Sequence, residues 1–348
     1  MAELLGAHTT LRIGGPARRW VTARTEAELI AAVSEADAAG EPLLVLGGGS
    51  NLVVADEGFP GTVVQVATRG VAVDLEPGDD PTCGGVLVTV AAGEPWDELV
   101  SEAVERGWVG VEALSGIPGL VGATPIQNVG AYGQEVSQTI ASVRVWDRTL
   151  QGVRTFANAD CGFGYRHSRF KADRLDAWGG RHVVLSVTFQ FRQGSLGAPV
   201  AYAELARTLG VEQGGRAPAG DVRRAVLGLR RGKGMVLDPD DHDTWSAGSF
   251  FTNPVVPAGQ VPEGAPAWPQ AEGLVKTSAA WLIEHAGFTK GHGSDRAALS
   301  GKHTLALTNR GGAGSADVLD LAREVRDGVE ARFGIRLVNE PVLVGCEL

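Results

Sequence analysis

The sequence predicts a mixed fold of helices and strands and argues against a Rossmann fold. A short apolar strand at residues 42–46 runs into Gly47-Gly48-Gly49, and residues 52–55 after this turn again have the composition of a strand. A Rossmann fingerprint requires a helix directly after the glycine turn. The chain has 348 residues, 44% of them hydrophobic, which is enough for two or three domains with buried cores.

Helix signals recur along the chain. Thr25 and Glu28 form a capping box before an apolar stripe that ends at Gly40. Pro95 opens a second helix, and Gly107 ends it. The same kinds of signal predict further helices after the N-cap Asp221, from 278 to 285, and after the N-cap Ser315.

Apolar alternation predicts the strands that join these helices. A turn at 77–81 separates two of them, and residues 194–220, rich in Gly, Ala and Pro, form a connector that contains Tyr202. The strands are expected at 61–66, 86–92, 143–146, 183–191 and 335–344.

Charge and cysteine content exclude several classes of protein. The net charge of −10 argues against non-specific nucleic-acid binding, which depends on a positive field. The 3 cysteines have no motif spacing, so we expect no disulfide framework and a reducing compartment. The N-terminus lacks a signal-peptide pattern, and no apolar run reaches the roughly 18 residues of a membrane span. A cytoplasmic protein with no membrane contact is therefore expected.

The stretch 114–133, LSGIPGLVGATPIQNVGAYG, is rich in glycine and contains no charged residue. Glycine lets a ligand lie against the main chain and permits positive φ, while Pro118 and Pro125 stiffen the path. The bare N–H groups of such a loop can bind a polyanion. A flexible linker is the alternative, but Leu114 and Ile117 are among many residues too apolar for one.

Arg166, Arg169 and Lys171 form a basic cluster in an acidic protein. The planar guanidinium of arginine matches a carboxylate or a phosphate. An ordinary surface turn explains this segment equally well.

Ser249 stands between Gly248 and two aromatic residues, on tight backbone beside an apolar wall. The pattern is not the G-x-S-x-G nucleophile elbow. Exclusion of water there would strengthen a proton transfer, although a structural turn is the simpler explanation of the segment alone.

Glu340 interrupts a late apolar strand. A buried carboxylate is costly unless it is protonated or paired, so the position suits an acid or an ion-pair partner. A strand-end residue that faces water is the alternative.

The acidic turn at 238–243 does not fit a metal site. It lacks the glycine and glutamate positions of a calcium loop, and the chain has no H-E-x-x-H or paired C-x-x-C motif. We predict no metal site and a solvated turn.

Together these motifs resemble the UDP-N-acetylenolpyruvoylglucosamine reductase family. Six segments match in the family's order and span nearly the whole chain: HTTLRIGGPA, LVLGGGSNLVV, GIPGLVGATPIQNVGAYGQEV, CGFGYRHSRFK, AGSFFTNP and NEPVLVG. Each motif is weak alone, but their order makes the resemblance specific.

The resemblance implies an α+β fold. An FAD-binding unit of two subdomains, of the vanillyl-alcohol-oxidase type, is followed by a C-terminal α+β substrate domain. The expected boundaries are 1–68 with a returning strand at 334–348, then 69–230, then 231–333.

The resemblance implies FAD and NADPH as cofactors. FAD is expected to lie against two glycine-rich segments, with Val184 packed near the flavin. The expected contact residues of those segments are Gly47, Gly48, Gly49, Ser50, Asn51, Leu52, Ser115, Gly116, Ile117, Gly119 and Gly122.

The segment around Tyr202 resembles the substrate loop of the family's tyrosine-loop class. Tyr202, Lys233 and Asn253 are thereby expected to hold the enolpyruvyl ether of UDP-N-acetylglucosamine, with Lys233 on its diphosphate. We expect a monomeric enzyme that acts on this small molecule.

The resemblance also implies the chemistry. Hydride passes from NADPH through FAD to C3 of the enolpyruvyl double bond, and charge builds at C2 and on the substrate carboxylate. Arg166 and Glu340 resemble the pair that stabilises this charge, and Ser249 resembles the acid that protonates C2. Glu340 is expected to be protonated or hydrogen-bonded through Arg166, because an ionised carboxylate would repel a dianion. The three groups are expected to converge on one carbon.

Two alternatives stay open at this point. A flavin oxidase of the same superfamily often attaches FAD through a histidine, but none lies in or beside Gly47–Asn51. A non-catalytic nucleotide-sugar binding protein would have no use for Arg166, Ser249 and Glu340 together.

Overall fold

A computed structural model describes residues 3–74, 85–176 and 178–348. The chain forms two compact units, which we name by their composition. The sheet unit comprises Arg19–Gly48 and Pro60–Arg231, and the terminal unit comprises Met1–Arg18, Gly49–Phe59 and Gly232–Leu348. The predicted turn at 77–81 lies outside the described residues.

The regular elements confirm the predicted mixture of helices and strands. The helices are α1 (Glu26–Ala38), α2 (Trp96–Glu105), α3 (Arg169–Ala172), α4 (Ala203–Leu209), α5 (Ala219–Gly232), α6 (Ala279–His285) and α7 (Ser315–Phe333). The strands are β1 (Ala17–Ala23), β2 (Leu43–Leu46), β3 (Leu52–Val54), β4 (Phe59–Val66), β5 (Val71–Asp74), β6 (Val86–Ala91), β7 (Trp108–Val109), β8 (Gly130–Ala131), β9 (Gln134–Glu135), β10 (Ile140–Asp147), β11 (Gly152–Ala157), β12 (His182–Gln193), β13 (Val255–Pro257), β14 (Ala267–Pro269), β15 (Leu274–Thr277), β16 (Ala297–Leu299), β17 (Leu307–Asn309) and β18 (Val342–Val344).

The sheet unit is built on a 6-stranded sheet. Its order is β11-β10-β12-β6-β5, and β7 also pairs with β12. The pairs in this sheet are antiparallel. A second, 3-stranded sheet has the order β1-β4-β2, in which β2 and β4 are parallel. Alternating apolar residues of β6, β10 and β12 and the apolar face of α2 form one buried core, as their spacing predicts.

The terminal unit contains small sheets. β13-β15-β14 is 3-stranded, β16 pairs with β17, and β18 runs parallel to β3. One stripe of α7 packs in the core of this unit with α6 and with Phe250 and Phe251. The sequence predicts an apolar stripe on this helix from Val318 to Phe333, and the structure confirms it. Phe333 is partly buried, and the other members are fully buried: Val318, Leu321, Ala322, Val325 and Val329.

Caps show where local signals decide a helix start. Thr25 and Glu28 form the predicted capping box of α1, and Ser278 caps α6 by accepting from Trp281 N at 3.2 Å. The predicted connector at 194–220 additionally contains α4.

Two predicted N-caps are wrong. α5 begins at Ala219, so Asp221 lies in its first turn and pairs with Arg224. Ser315 is the first residue of α7 and not its cap, because its Oγ instead donates to Asp56 Oδ2 at 3.1 Å. In both cases the side chain that was expected to cap the helix binds another residue, Arg224 for Asp221 and Asp56 for Ser315.

The strand predicted at 335–344 is too long. Only Val342–Val344 is regular, because its partner β3 has 3 residues. Before it, Asn339 forms a single bridge with Phe251, and its Nδ2 donates to Pro341 O at 2.8 Å.

Within the described residues, no helix combines the length and apolar character that a membrane crossing requires. Cys161 and Cys346 are free thiols, and burial raises the pKa of Cys161 to about 11.

Candidate functional site

Two predicted cofactor-binding segments meet inside the sheet unit. A Cβ placed on Gly48 would lie 2.7 Å from Gly119 Cα, and one on Gly47 would lie 3.8 Å from Leu120 Cδ1. Main chain therefore lies against main chain here, and only glycine fits at Gly48 without displacement. The two segments come together as the polyanion prediction requires.

The donor set at this junction fits a dinucleotide. Among the residues that the structure describes, the N–H groups of Gly48, Ile117 and Gly119 donate to no protein acceptor. Uncompensated main-chain N–H groups in glycine-rich turns bind phosphate. The N–H groups of Val121 and Gly122 are used differently, because they donate to Glu94 O and Ala92 O, both at 2.9 Å.

Val184, the predicted flavin neighbour, is buried on β12 opposite Val145 of β10. Ser115 is also buried, and its Oγ donates to Glu112 O at 2.7 Å, so this hydroxyl serves the fold.

The remainder of the first glycine turn belongs to the terminal unit. Gly49 has φ of +60°, and a Cβ there would lie 1.9 Å from His8 O, so both conformation and space require glycine. Leu52 then starts β3, as predicted, and pairs in parallel with Val342.

Arg166 lies in the sheet unit, in a tight turn closed by mutual main-chain bonds of Gly164 and His167. Its φ of +51° is a left-handed conformation that non-glycine residues seldom adopt. Its Nη2 donates to Gly130 O at 2.9 Å, and Lys171 Nζ donates to its carbonyl oxygen at 3.1 Å. The guanidinium is thus tied to the end of the glycine-rich stretch 114–133.

Asn128 joins the same two motifs a second time. Its Nδ2 donates to Gly164 O at 3.0 Å and to Glu135 Oε2 at 2.9 Å. The segment that carries Arg166 and the glycine-rich stretch therefore form one hydrogen-bonded body within the sheet unit.

Ser249 lies in the terminal unit and is half-buried. It follows Gly248, whose φ is +75° and whose N–H donates to Ser246 Oγ at 3.2 Å. On its other side, Phe250 N donates to Leu305 O at 2.7 Å. The main chain is thus anchored both before and after the hydroxyl.

Glu340 is held beside this segment. Its N–H donates to Phe250 O at 2.8 Å, and its carbonyl oxygen accepts from Asn51 Nδ2 at 3.3 Å. Because Phe250 directly follows Ser249, two of the predicted catalytic residues lie on adjacent main chain. Asn51 adds a predicted cofactor-binding residue to the same cluster.

The acidic turn is more engaged than the predicted solvated turn. Asp243 accepts from Arg310 Nη1 at 2.8 Å and from Gly301 N at 2.9 Å, while Asp241 pairs with Lys302. The hydrogen bond from Lys302 outweighs burial and holds the pKa of Asp241 below its usual value. No group of three or more His, Cys, Asp or Glu suited to a metal occurs within the described ranges.

The predicted substrate residues occupy both units. In the sheet unit, Tyr202 precedes α4, is 47% exposed and packs edge-on against Tyr132. In the terminal unit, Lys233 follows α5, and Asn253 Oδ1 accepts from Ala279 N at 2.9 Å. That amide oxygen therefore supports the start of α6.

The structure thus brings Ser249, Glu340 and Asn51 together in the terminal unit and places Arg166 in the sheet unit. The convergence of all three catalytic groups stays a prediction. Asp97, which accepts a hydrogen bond from Gly116 N of the loop, was not among the residues predicted from the sequence. Its only signal was an acidic residue in the first turn of α2.

Comparisons with known proteins agree with this arrangement. An FAD binding domain model matches residues 17–152, and a model of the C-terminal domain of UDP-N-acetylenolpyruvoylglucosamine reductase matches residues 238–344. The expected α+β class, with a flavin-binding part and a distinct C-terminal part, is confirmed.

Curated relatives cover nearly the whole chain. It is 60% identical over 343 residues to the UDP-N-acetylenolpyruvoylglucosamine reductase of Cutibacterium acnes, a match that covers 98% of this chain and 89% of that protein. It is 56% identical over 354 residues to the reductase of the same name from Streptomyces avermitilis, which covers 98% and 93%.

A solved structure gives the same result. The crystal structure of UDP-N-acetylenolpyruvylglucosamine reductase from Thermus caldophilus superposes with a TM-score of 0.66 at 27% identity, over 99% of this chain and 98% of that chain.

Proposed function

The chain belongs to the UDP-N-acetylenolpyruvoylglucosamine reductase family, and from this membership we propose how its residues perform the reaction. The protein is an FAD-dependent oxidoreductase that uses NADPH to reduce the enolpyruvyl ether of UDP-N-acetylglucosamine to UDP-N-acetylmuramate, a step of peptidoglycan precursor synthesis. The observation that carries this function is the joint match of an FAD-binding model and the reductase-specific C-terminal model on one chain.

FAD is held by the glycine-rich main chain. We assign its pyrophosphate to the junction of Gly48 with Gly119, where the uncommitted N–H groups of Gly48 and Ile117 support that role. When bound, FAD supplies two-electron transfer between NADPH and the enolpyruvyl double bond. Contacts from Gly47 through Leu52, from Ser115 through Gly122, and from Val184 belong to the same proposal.

The nucleotide sugar is held by Tyr202, Lys233 and Asn253. Lys233 offers a compact charge for the diphosphate, and Tyr202 offers an apolar ring with a polar tip. The exposure of Tyr202 is consistent with a residue that meets a ligand.

Arg166 and Glu340 act on the charge that develops on the substrate. Reduction at C3 leaves negative charge at C2 and on the adjoining carboxylate, and a fixed guanidinium stabilises it without reorganisation. The strained, hydrogen-bonded turn supports this role for Arg166. Glu340 takes part as a protonated group or through Arg166, because an ionised carboxylate would oppose the same charge.

Ser249 donates the proton to C2. A serine hydroxyl is a weak acid, so its position matters more than its intrinsic acidity. The bonds that anchor residues 248 and 250 support this role.

We further propose the domain boundaries 1–68 with 334–348, 69–230 and 231–333, and a cytoplasmic monomer whose partner is the small-molecule substrate. The pairing of β18 with β3 supports the return of the C-terminal strand to the first of these domains.

The Ser249→Ala variant tests the assignment in two halves. Under anaerobic conditions, NADPH should bleach the flavin absorbance at the wild-type rate, whereas reoxidation by the enolpyruvyl substrate should slow by about 10²- to 10⁴-fold, as expected for a lost proton donor. As a control, Thr252→Val removes a nearby hydroxyl that donates to Val338 O at 3.3 Å. Thr252 N donates to the same oxygen at 3.0 Å, so this variant should change reoxidation far less. Equal loss in both half-reactions of Ser249→Ala would make Ser249 a structural residue.

A further inference from the structure

Asp97 lies in the first turn of α2 and contacts the loop assigned to FAD. Its Oδ1 accepts from Gly116 N at 2.6 Å, and both carboxylate oxygens bind Arg223 of α5, at 2.6 and 3.0 Å. Gly116 has φ of +72° and is the residue before Ile117. The carboxylate of Asp97 therefore accepts the hydrogen bond of Gly116 N, at the residue where the loop turns.

The rest of the loop is held by the same end of α2. Trp96 N donates to Gly119 O at 3.0 Å, and Trp96 Nε1 donates to Leu114 O at 3.1 Å. Asp97 adds a third contact at Gly116, which lies in the sequence between Leu114 and Gly119. Within the part of the protein that the structure describes, four N–H groups of residues 114–122 donate to no protein acceptor, and those of Ile117 and Gly119 follow Gly116 most closely on the side of Gly48; the other two belong to Ser115 and Leu120.

Arg223 of α5 connects Asp97 and the flavin-binding loop to the segment around Tyr202. Its neighbour Val222 and Val226 pack with Val200 and Leu205, which flank Tyr202 in the chain. Arg223 holds Asp97 in its charged form: burial alone would raise the pKa of Asp97, but the hydrogen bonds from Arg223 and Gly116 outweigh it and keep that pKa low.

We infer that Asp97 is a positioning residue for the flavin-binding loop: it fixes Gly116, with Arg223 as its counter-ion, and thereby directs the N–H groups of Ile117 and Gly119 toward the FAD pyrophosphate. The inference rests on the proposed placement of FAD. Asp97 itself does not need to touch the cofactor, because its effect passes through Gly116.

The test measures FAD affinity in the full-length apoprotein by quenching of flavin fluorescence, alongside thermal unfolding of the same apoprotein. Asp97→Ala should weaken FAD binding at least tenfold. Asp97→Asn, which keeps an oxygen for Gly116 N but loses the charge that binds Arg223, should recover part of that loss. As a control, Asp221→Asn breaks the exposed ion pair with Arg224 on α5, the helix that carries Arg223. This variant should leave the FAD affinity within threefold of wild type.

Asp147→Asn supplies the second control, because it destabilises the sheet unit away from the loop. Asp147 binds Arg181 and the turn after β10. The inference is overturned if Asp97→Ala binds FAD within threefold of wild type, or if Asp147→Asn loses FAD as strongly as Asp97→Ala does. Failure of the wild-type apoprotein to bind FAD would overturn the proposed function instead.

Discussion

The two units of this protein fix their predicted functional residues in different ways. In the sheet unit, main-chain hydrogen bonds hold the glycine-rich loop beside the 6-stranded sheet and α2. The main chains there approach so closely that a side chain larger than glycine does not fit at Gly48. In the terminal unit, Ser249 and Glu340 lie outside regular strands. There, polar side chains such as Asn51 and Asp243 connect segments that are far apart in sequence. Added volume where Gly48 meets Gly119 should therefore impair flavin binding, whereas loss of a polar group near Ser249 should impair reduction of the substrate.

Among changes that separate the two units, the largest effect on cofactor binding is expected from Gly48→Ala. The new methyl group would lie 2.7 Å from Gly119 Cα, and overpacking of this kind costs about 1–3 kcal/mol. We expect FAD binding to weaken by roughly tenfold to a hundredfold, measured by the flavin content of purified protein and by titration of the apoprotein.

The matched control is Gly228→Ala on α5, where a Cβ meets nothing within 4 Å. Alanine also favours the helix at that position, so the variant should keep its flavin and gain slight stability. Wild-type flavin content in Gly48→Ala would contradict the idea that volume controls the sheet unit.

The next effect concerns a charge inside the sheet unit. The hydrogen bond from Arg181 lowers the pKa of Asp147 to about 2, although burial opposes this. Because the pKa of an aspartate is ordinarily 3.8, this lowering corresponds to about 2 kcal/mol of folding free energy. The stability is present above the unfolded pKa and is lost as the pH falls through the folded pKa.

Chemical denaturation at a series of pH values checks this prediction. Asp147→Asn should be less stable than wild type by about 2 kcal/mol at pH 7, and the difference should shrink as the pH falls from roughly 4 to 2. Asp160→Asn, at an exposed position of the same unit, should match wild type. A difference that does not change with pH would show that side-chain shape, and not charge, stabilises this turn.

The smallest effect is expected from Asp243→Asn in the terminal unit. The variant loses the ion pair with Arg310, and partly exposed pairs contribute about 1 kcal/mol or less. We expect flavin content and bleaching by NADPH to stay normal, while substrate-driven reoxidation slows by at most about tenfold because Ser249 is less well positioned.

Asp240→Asn lies in the same turn at an exposed position and should not change either half-reaction. Loss of flavin from Asp243→Asn would remove the distinction between the two units, because a polar side chain of the terminal unit would then control cofactor binding.

Local signals predicted much of the fold. The strand, glycine turn and strand at 42–55 could be recognised from the change in composition over a few residues, although the contacts that require Gly48 and Gly49 come from Gly119 and His8. The capping box at Thr25 and the stripe of α7 also depend on residues a few positions apart. Such features need no knowledge of distant partners.

Two wrong predictions concern side chains whose bonding partners lie far away in the sequence. Ser315 looks like a cap until Asp56 takes its hydroxyl, and the acidic turn looks solvated until Lys302 and Arg310 pair with it. The role of Asp97 was equally hidden, because Arg223 lies 126 positions away. Local patterns singled out Arg166, Ser249 and Glu340, but their catalytic roles came from the order of the six motifs, because a structural explanation fitted each segment alone.

The bond between Asn51 and Glu340 joins residues 289 positions apart. At a translation rate of roughly 5–20 residues per second, Leu52–Val54 is synthesised roughly 15–60 s before Val342–Val344. During this interval β3 has been made but its partner strand β18 has not. The parallel pair of β3 and β18 therefore forms only after residues 342–344 have been made, so the terminal unit completes its fold after every residue of the sheet unit has been synthesised.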